Sequence, residues 1–377
     1  MQTKRFGLCA ALSAAALLLL AGCAGSGSTA APTLTVESSY PLQYAKQFTV
    51  DECTGGYELI TIADSQYLVV PQGAAVPEDL PQGTTVLQQP IENIYLVSTS
   101  AMDPIISLGA LDSIALSGTK ADGWYLPEAK AAMQAGQIAY AGKYNAPDYE
   151  TILASGCGLA IENTMIYHTP EVKEQLEKFG IPVLVERSSY ETDPLARMEW
   201  VKLYGILLGK KQEAEQLFDT QVQRVAPLEN QQPTGKTVAF FSITSNNLVT
   251  VRKGSDYVAR MIEMAGGSYV FDDLTDSGNN LATINLSLED FYAGAKDADV
   301  LIYNSTIEGS IASTEQLVEK CPLLAQFKAV QNGNVWCTAQ SLFQQSMELP
   351  DLILDMNRVF TEGTPADSEL TFLTHVE

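Results

Sequence analysis

Pro194-Leu-Ala-Arg-Met-Glu-Trp-Val-Lys-Leu-Tyr-Gly-Ile-Leu-Leu-Gly209 carries both a helix start and a helix stop. Proline at the opening position has its φ preset for the first turn, and glycine at the end accepts the left-handed residue that commonly closes a helix. Trp200 and Tyr204, four apart, stand with Leu203, Leu207 and Leu208 in one apolar stripe. That stripe predicts a spine packed on a lobe, not a cofactor box. Helical spacing resumes after Gly209 through Ala214, Leu217, Phe218 and Val222 to about Leu228, and 231–235 is the next break.

On both sides of this segment short apolar runs alternate with amphipathic stretches. Before it, strands are expected over 94–99, 113–117, 159–162 and 182–186, with helices over 101–108, 127–135, 149–154 and 170–179. After it come strands over 237–243, 248–251, 300–304 and 334–338, with helices over 256–264, 288–295, 314–330 and 347–360. Such alternation builds βαβ units around a mainly parallel sheet. The fold class is therefore α/β: two Rossmann-like lobes joined by a single long backbone helix, with a cleft between the lobes. A lone helical crossover resists wide hinge motion more than several flexible strands would. Residues 34–90 read differently, with β-like runs over 47–50, 57–63, 67–70 and 84–88 broken by Gly55-Gly56, Pro71-Gln-Gly73 and 77–83. They predict a short antiparallel elaboration ahead of the first lobe.

The amino terminus is an export address. Lys4 and Arg5 precede an apolar run over 6–20, too short for a committed membrane span, and Leu20-Ala21-Gly22-Cys23 has the form of a lipobox. The expected organisation is a signal peptide over 1–22 and a lipidated tether over 23–33. Next come the β elaboration over 34–90, a first lobe over 91–192, an interlobe helix over 193–230 and a second lobe over 231–377. Cys23 is the lipidation site, which puts the protein outside the cytoplasm, anchored to the cell membrane.

Composition narrows the partners. The formal charge of −23 becomes −25 once 1–22 is removed, because that segment holds Lys4, Arg5 and no acid. Nucleic acid and anionic headgroups are poor partners for such a surface, since phosphate binding needs a basic face. Cys53, Cys157, Cys321 and Cys337 remain in the body at spacings that match no metal knuckle. Isolated buried thiols and a Cys321–Cys337 disulfide are both open. His168 and His375 are the whole histidine complement, which excludes a multi-histidine metal site.

Enzyme signatures fail one by one. Gly235-Lys-Thr237 lacks the earlier glycine of a phosphate loop, whose position holds Asn230, and a strand follows it. There is no Gly-x-Ser-x-Gly elbow and no His-Glu-x-x-His. No catalytic residue and no resident cofactor are expected.

Several passages resemble one family. These are Ser107-Leu-Gly-Ala-Leu-Asp112, Ala146-Pro-Asp-Tyr-Glu150-Thr-Ile-Leu, Gly180-Ile-Pro-Val, Leu207-Leu-Gly-Lys-Lys-Gln-Glu-Ala-Glu215, Met264-Ala-Gly-Gly267, and Ser287-Leu-Glu289 ahead of Ala298-Asp-Val-Leu-Ile302. In order and spacing, joined to a lipobox, they resemble the solute-binding lipoproteins of bacterial ABC importers, in the group with a helical backbone. The resemblance runs from about Pro90 to Phe360 and implies ferric siderophores, haem or cobalamin as ligands. It also implies the permease transmembrane subunits as partners of a monomer. By the same resemblance Glu150 and Glu289, one per lobe, dock on permease arginines; an acid in a first helical turn is also favoured by the helix dipole alone. Cys157-Gly-Leu-Ala-Ile departs from the family's usual Pro-Asp-Leu-Val-Ile, and the 187–200 block looks like a subgroup signature.

Open α/β sheets bind ligands beyond the carboxyl ends of their strands, so the loops there hold the candidates. Trp124, Tyr125, Tyr167, Arg187 and Arg252 lead, as aromatic walls and cations suited to a large, flat or anionic ligand. Ser100, Met102, Lys120, Asn163, Met165, Tyr190, Ser245, Asn246, Ser305, Phe343 and Gln344 share those loops. Arg187 has an alternative partner in Glu191 or Asp193, and His168 reads as a surface residue. The alternatives to a chelate-binding importer subunit are the same fold as an extracytoplasmic receptor, or for another small solute or metal.

Overall fold

The structure, a computed structural model, describes residues 33–275 and 282–377. The export segment, Cys23 and the tether up to residue 32 lie outside the described residues.

The first sheet has five strands in sequence order: β1 (Val36–Ser39), β2 (Phe48–Cys53), β3 (Tyr57–Ile62), β4 (Ser65–Val70) and β5 (Thr85–Gln88). β1 to β4 form an antiparallel meander, but β5 joins β4 in parallel, so the expected all-antiparallel elaboration is mixed. The cause is the connection over 71–84, long enough to cross back to the start of the sheet. Alternation sorts the side chains: Phe48, Val50, Ile60, Ile62, Tyr67 and Val69 join the main core. Tyr57, Leu59, Leu68 and Val70 face the crossover, whose Ala74 and Leu80 cover them.

The first lobe follows as β6 (Ile94–Leu96), α1 (Met102–Ser107), β7 (Ile114–Ser117), α2 (Pro127–Gln134) and β8 (Ala139–Tyr140). After a small hairpin of β9 (Gly142–Lys143) and β10 (Ala146–Pro147) come α3 (Tyr149–Ala154), β11 (Ala160–Glu162), α4 (Pro170–Lys178) and β12 (Val183–Val185). The sheet order is β12-β11-β6-β7-β8, all parallel. The order reverses between β6 and β11, which opens a crevice at their carboxyl ends.

The interlobe segment is two helices, α5 (Pro194–Leu207) and α6 (Lys211–Val225), which corrects the single long backbone helix. Gly209, at φ 69°, ends α5, and α6 packs against it. A Cβ on Gly205 would sit 2.4 Å from Ala214 Cβ, so only glycine allows this approach. Every α5 residue except Arg197 is buried, as an all-round apolar helix demands. The Trp200–Tyr204 stripe is core, as expected.

The second lobe contains β13 (Thr237–Ile243), β14 (Val249–Arg252), α7 (Tyr257–Met264), β15 (Ser268–Tyr269), β16 (Thr283–Leu286), α8 (Leu288–Ala295) and β17 (Val300–Tyr303). It ends with α9 (Ser305–Glu308), α10 (Thr314–Lys320), α11 (Lys328–Gln331), β18 (Val335–Thr338), α12 (Leu349–Glu362) and β19 (Leu373–His375). The expected helix over 314–330 is interrupted at Pro322, which lacks the N–H to continue it. β13, β17 and β18 are parallel neighbours; β14 is antiparallel to β13, β16 is antiparallel to β14, and β19 is antiparallel to β18. Cys321 and Cys337 are buried and unbonded, as isolated thiols.

Candidate functional site

Loops leaving the carboxyl ends of the first lobe's strands are braced from inside. Glu186, after β12, is buried and accepts from Ser98 Oγ at 2.9 Å, Ser100 Oγ at 3.0 Å and the Ser188 N–H at 2.7 Å. One carboxylate thus ties the loop after β6 to the loop after β12, across the point where strand order reverses. Asn163 caps the turn after β11 by accepting from the Met165 N–H at 2.9 Å. These loops need such partners because no ladder satisfies their backbone.

Five large apolar or aromatic side chains on the loops of that edge are exposed. Tyr125 follows β7, Tyr140 ends β8, Met165 and Tyr167 follow β11, and Tyr190 follows β12, all exposed. Ile307 adds an exposed aliphatic side chain after β17 in the second lobe. Two cations are seated among the rings: Lys120 Nζ lies 5.5 Å from the Tyr140 centroid, and the Arg187 guanidinium 4.5 Å from that of Tyr190. Exposed rings with a cation beside them suit a ligand with its own flat, anionic face.

Not every expected wall is a wall. Trp124 is only 1% exposed, with its indole N–H donating to Ser117 Oγ at 3.2 Å, and it belongs to the core of the first lobe. Its neighbour Tyr125, 45% exposed, takes the outward position because the chain is extended there and successive side chains alternate. Arg252 ends β14, which is antiparallel to β13. Its guanidinium sits 4.7 Å from the Phe343 centroid and 3.8 Å from Asp256 Oδ2, an internal tie with little exposure. Met102 and Ser305 are fully buried. Arg187 pairs with neither Glu191 nor Asp193; its Nε and Nη2 reach Gln47 Oε1 at 3.4 Å. His168 is exposed, and among the described residues no cluster of three or more His, Cys, Asp or Glu side chains is placed to hold a metal.

Tyr140, Glu186 and Ile307 were not singled out by sequence. A two-residue strand has no periodicity to announce Tyr140, and Glu186 reads as one acid among many; the turn after a β-run was the available signal at Ile307.

Two acids meet the docking expectation in form. Glu150 lies in the first turn of α3 behind the Asp148 cap, and Glu289 in the first turn of α8 behind the Ser287 cap. Both are exposed. A different acid is hidden: Glu162, at the end of β11, is completely buried with neither oxygen bonded, and burial pushes its carboxyl up to about 8.

The lobes touch through the segment after β18. The Gln344 amide oxygen accepts from the Tyr125 N–H at 2.8 Å and its nitrogen donates to Gly123 O at 2.9 Å. Ser346 Oγ donates to Ser100 O at 3.1 Å, and the Met347 N–H to Asp103 Oδ2 at 2.7 Å.

The family model described as periplasmic binding protein matches residues 96–341. An uncharacterized lipoprotein of Methanocaldococcus jannaschii is 27% identical over 241 residues, 62% of this chain and 55% of that protein. The chain spans about half the length of the curated relatives it matches. A periplasmic binding protein from Veillonella parvula superposes with a TM-score of 0.60 at 16% identity, covering 89% of this chain and 100% of that one. A periplasmic haem binding protein from Pseudomonas aeruginosa superposes with a TM-score of 0.58 at 17% identity, covering 76% of this chain and 99% of that one. At these identities the superpositions establish a shared fold. The family match covers well over half of the chain, from β6 to the loop after β18, so the chain belongs to the periplasmic binding protein family.

Proposed function

We propose that the chain is the extracytoplasmic solute-binding subunit of an ABC importer, taking a ring-bearing anionic solute of the iron-siderophore, haem or corrinoid type between its lobes. The observation that carries this reading is the exposed set Tyr125, Tyr140, Met165, Tyr167 and Tyr190 on the loops at the carboxyl edge of the first lobe's sheet, with Lys120 against Tyr140 and Arg187 against Tyr190. A flat solute laid there covers rings that otherwise face water, at about 25 cal/mol per Å² of apolar surface. The two cations add attraction for carboxylates or catecholates.

In this reading Tyr125, Tyr167 and Arg187 meet the solute, while Trp124 and Arg252 support the loops behind them. Glu150 and Glu289, each on the first turn of a helix, dock on the transmembrane subunits of the permease, one per lobe. Lipid on Cys23 anchors a monomer near that permease and raises its effective concentration there. The charge of the chain turns it away from nucleic acid.

Tryptophan-quenching and thermal-shift titrations against haem, cobalamin and a set of ferric siderophores test the proposal. Saturable binding of one of them, weakened by Tyr167→Ala, is the expected result. No response to any of them would overturn the ligand class.

A further inference from the structure

Four neighbouring residues of the second lobe, 344 and 346–348, all reach into the first. Gln344 uses both ends of its amide, closing on the Tyr125 N–H and the Gly123 carbonyl. Two residues on, Ser346 holds the carbonyl of Ser100, and Met347 donates its N–H to Asp103 on α1. Glu348, the residue before α12, has a buried Oε2 with no hydrogen-bond donor among the described residues. Asp103 is itself buried, and its carboxyl is pushed up to about 8 by that burial and by the nearby Glu348 charge.

What Gln344 grips is the loop that carries Tyr125. Behind it Trp124 is fixed in the core through Ser117, so the loop has one anchored residue flanked by two backbone groups. Those flanking groups, Gly123 O and Tyr125 N, are what Gln344 binds. A Gln side chain offers an acceptor and a donor on one rigid plane, and pairs with an extended backbone as a neighbouring strand would. Asn is one methylene shorter and Glu at neutral pH has no donor, so neither replaces it.

We infer that Gln344 is the positioning residue of the cleft: it clamps the Gly123–Tyr125 loop from the opposite lobe, sets Tyr125 toward the solute, and works as one unit with the Ser346–Ser100 and Met347–Asp103 contacts that hold the lobes together. This deepens the proposed function and rests on its reading of Tyr125 as a solute contact. Closure and the shape of the solute wall are then one event, because the same amide makes both. Release of the clamp frees the lobes and the Tyr125 loop together.

Hydrogen exchange on the solute-free protein reads this directly, since local openings expose particular amides without global unfolding. In Gln344→Ala the Tyr125 amide loses its acceptor and is expected to exchange at least about tenfold faster. The deciding amide is that of Met347, which Gln344 does not touch. If the contacts form one unit it also accelerates about tenfold, while amides in β13 and β17 keep their protection. Unchanged protection at Met347 would make Gln344 a local loop staple and overturn the inference, as would unchanged protection at Tyr125. Gln344→Glu is the second variant, for the case where the alanine variant loses protection throughout. At pH 7 its carboxylate still accepts from Tyr125 N but repels Gly123 O, and lowering the pH below about 4 restores the donor. Slower exchange at Met347 at pH 3.5 than at pH 7, after correction for intrinsic rates and relative to wild type, is expected, and its absence counts against the clamp. A haem titration of the same variants stands apart: failure of wild type to bind haem bears on the proposed ligand, and the exchange result is unaffected.

Discussion

The backbone N–H of Tyr44 donates to Glu199 Oε2 at 2.7 Å, across 155 residues of chain. Glu199 lies inside the buried α5, and it also accepts from the N–H groups of Gln43 and Ala45 and from Lys202 Nζ. Glu191 does the same for the next two residues, accepting from the N–H groups of Lys46 and Gln47 and from the Trp200 indole. The segment over 43–47 lies between β1 and β2 with no ladder of its own, so two glutamates supply the partners its backbone would otherwise lack. The 187–200 block, opaque as a sequence signature, is in large part the socket for the amino-terminal sheet.

Glu199→Ala is expected to cost about 3–5 kcal/mol, because it leaves Lys202 as a buried unpaired charge and strips acceptors from three amides. Urea unfolding checks the magnitude, and limited proteolysis near 43–47 checks the location. A loss under about 1 kcal/mol would mean that water replaces the carboxylate without penalty.

Removing one ring or one cation at the carboxyl edge should weaken the solute without unfolding the protein. Tyr167→Ala and Arg187→Ala are each expected to raise the Kd for the bound chelate or haem by roughly five- to thirtyfold, about 1–2 kcal/mol. Trp124→Ala behaves oppositely, losing about 3–5 kcal/mol of stability as a large buried ring is truncated. Absorbance titration and thermal melts separate the two effects.

The proposed docking role of Glu150 and Glu289 predicts a split between binding and transport. Glu150→Ala combined with Glu289→Ala leaves solute affinity unchanged, since both side chains are exposed on helix first turns. Uptake through the cognate permease should fall at least about tenfold, the loss of one or more charge-assisted contacts. Uptake equal to wild type would remove both residues from the docking surface.

Glu162 makes stability depend on pH. Its carboxyl is raised from 4.5 to about 8 by burial. The folded state therefore keeps a proton that the unfolded chain releases above about pH 4.5. The stability linked to this group is full below that value, declines as the pH rises toward 8, and changes little beyond. Glu162→Gln, which cannot ionise, should match the wild type near pH 4 and exceed it at pH 8 by on the order of a few kcal/mol. Melting curves at pH 4, 6 and 8 test this, and parallel pH profiles for the two proteins would refute it.

Elements with a strong period were readable before any coordinates. The 149–154 helix, the 237–243 strand and the 288–295 helix fall on their expected bounds. Apolar spacing and the Asp148 and Ser287 caps specify them locally. The candidate site was legible only as a set of loops. Tyr125, Tyr167 and Arg187 lie on loops at the carboxyl edge of the first lobe, while the antiparallel direction of β14, which carries Arg252, is not written in its residues. Trp124 and Tyr125 were indistinguishable by type; which one faces water depends on what surrounds them.

By itself, then, the sequence determined the two βαβ alternations, the apolar spine, the acidity and the count of two histidines. Those properties depend on composition and on neighbours within one or two turns. Tertiary structure alone decided that the spine folds into two packed helices through Gly205, that Glu199 and Glu191 hold a segment about 150 residues away, and that Gln344 closes on Gly123 and Tyr125. The glutamate and Gln344 contacts join residues far apart in the chain through a few directed bonds, and the Gly205 contact is a single close approach between successive helices. Such contacts leave no periodic trace, and the Gln344 contact exists only once both lobes have formed.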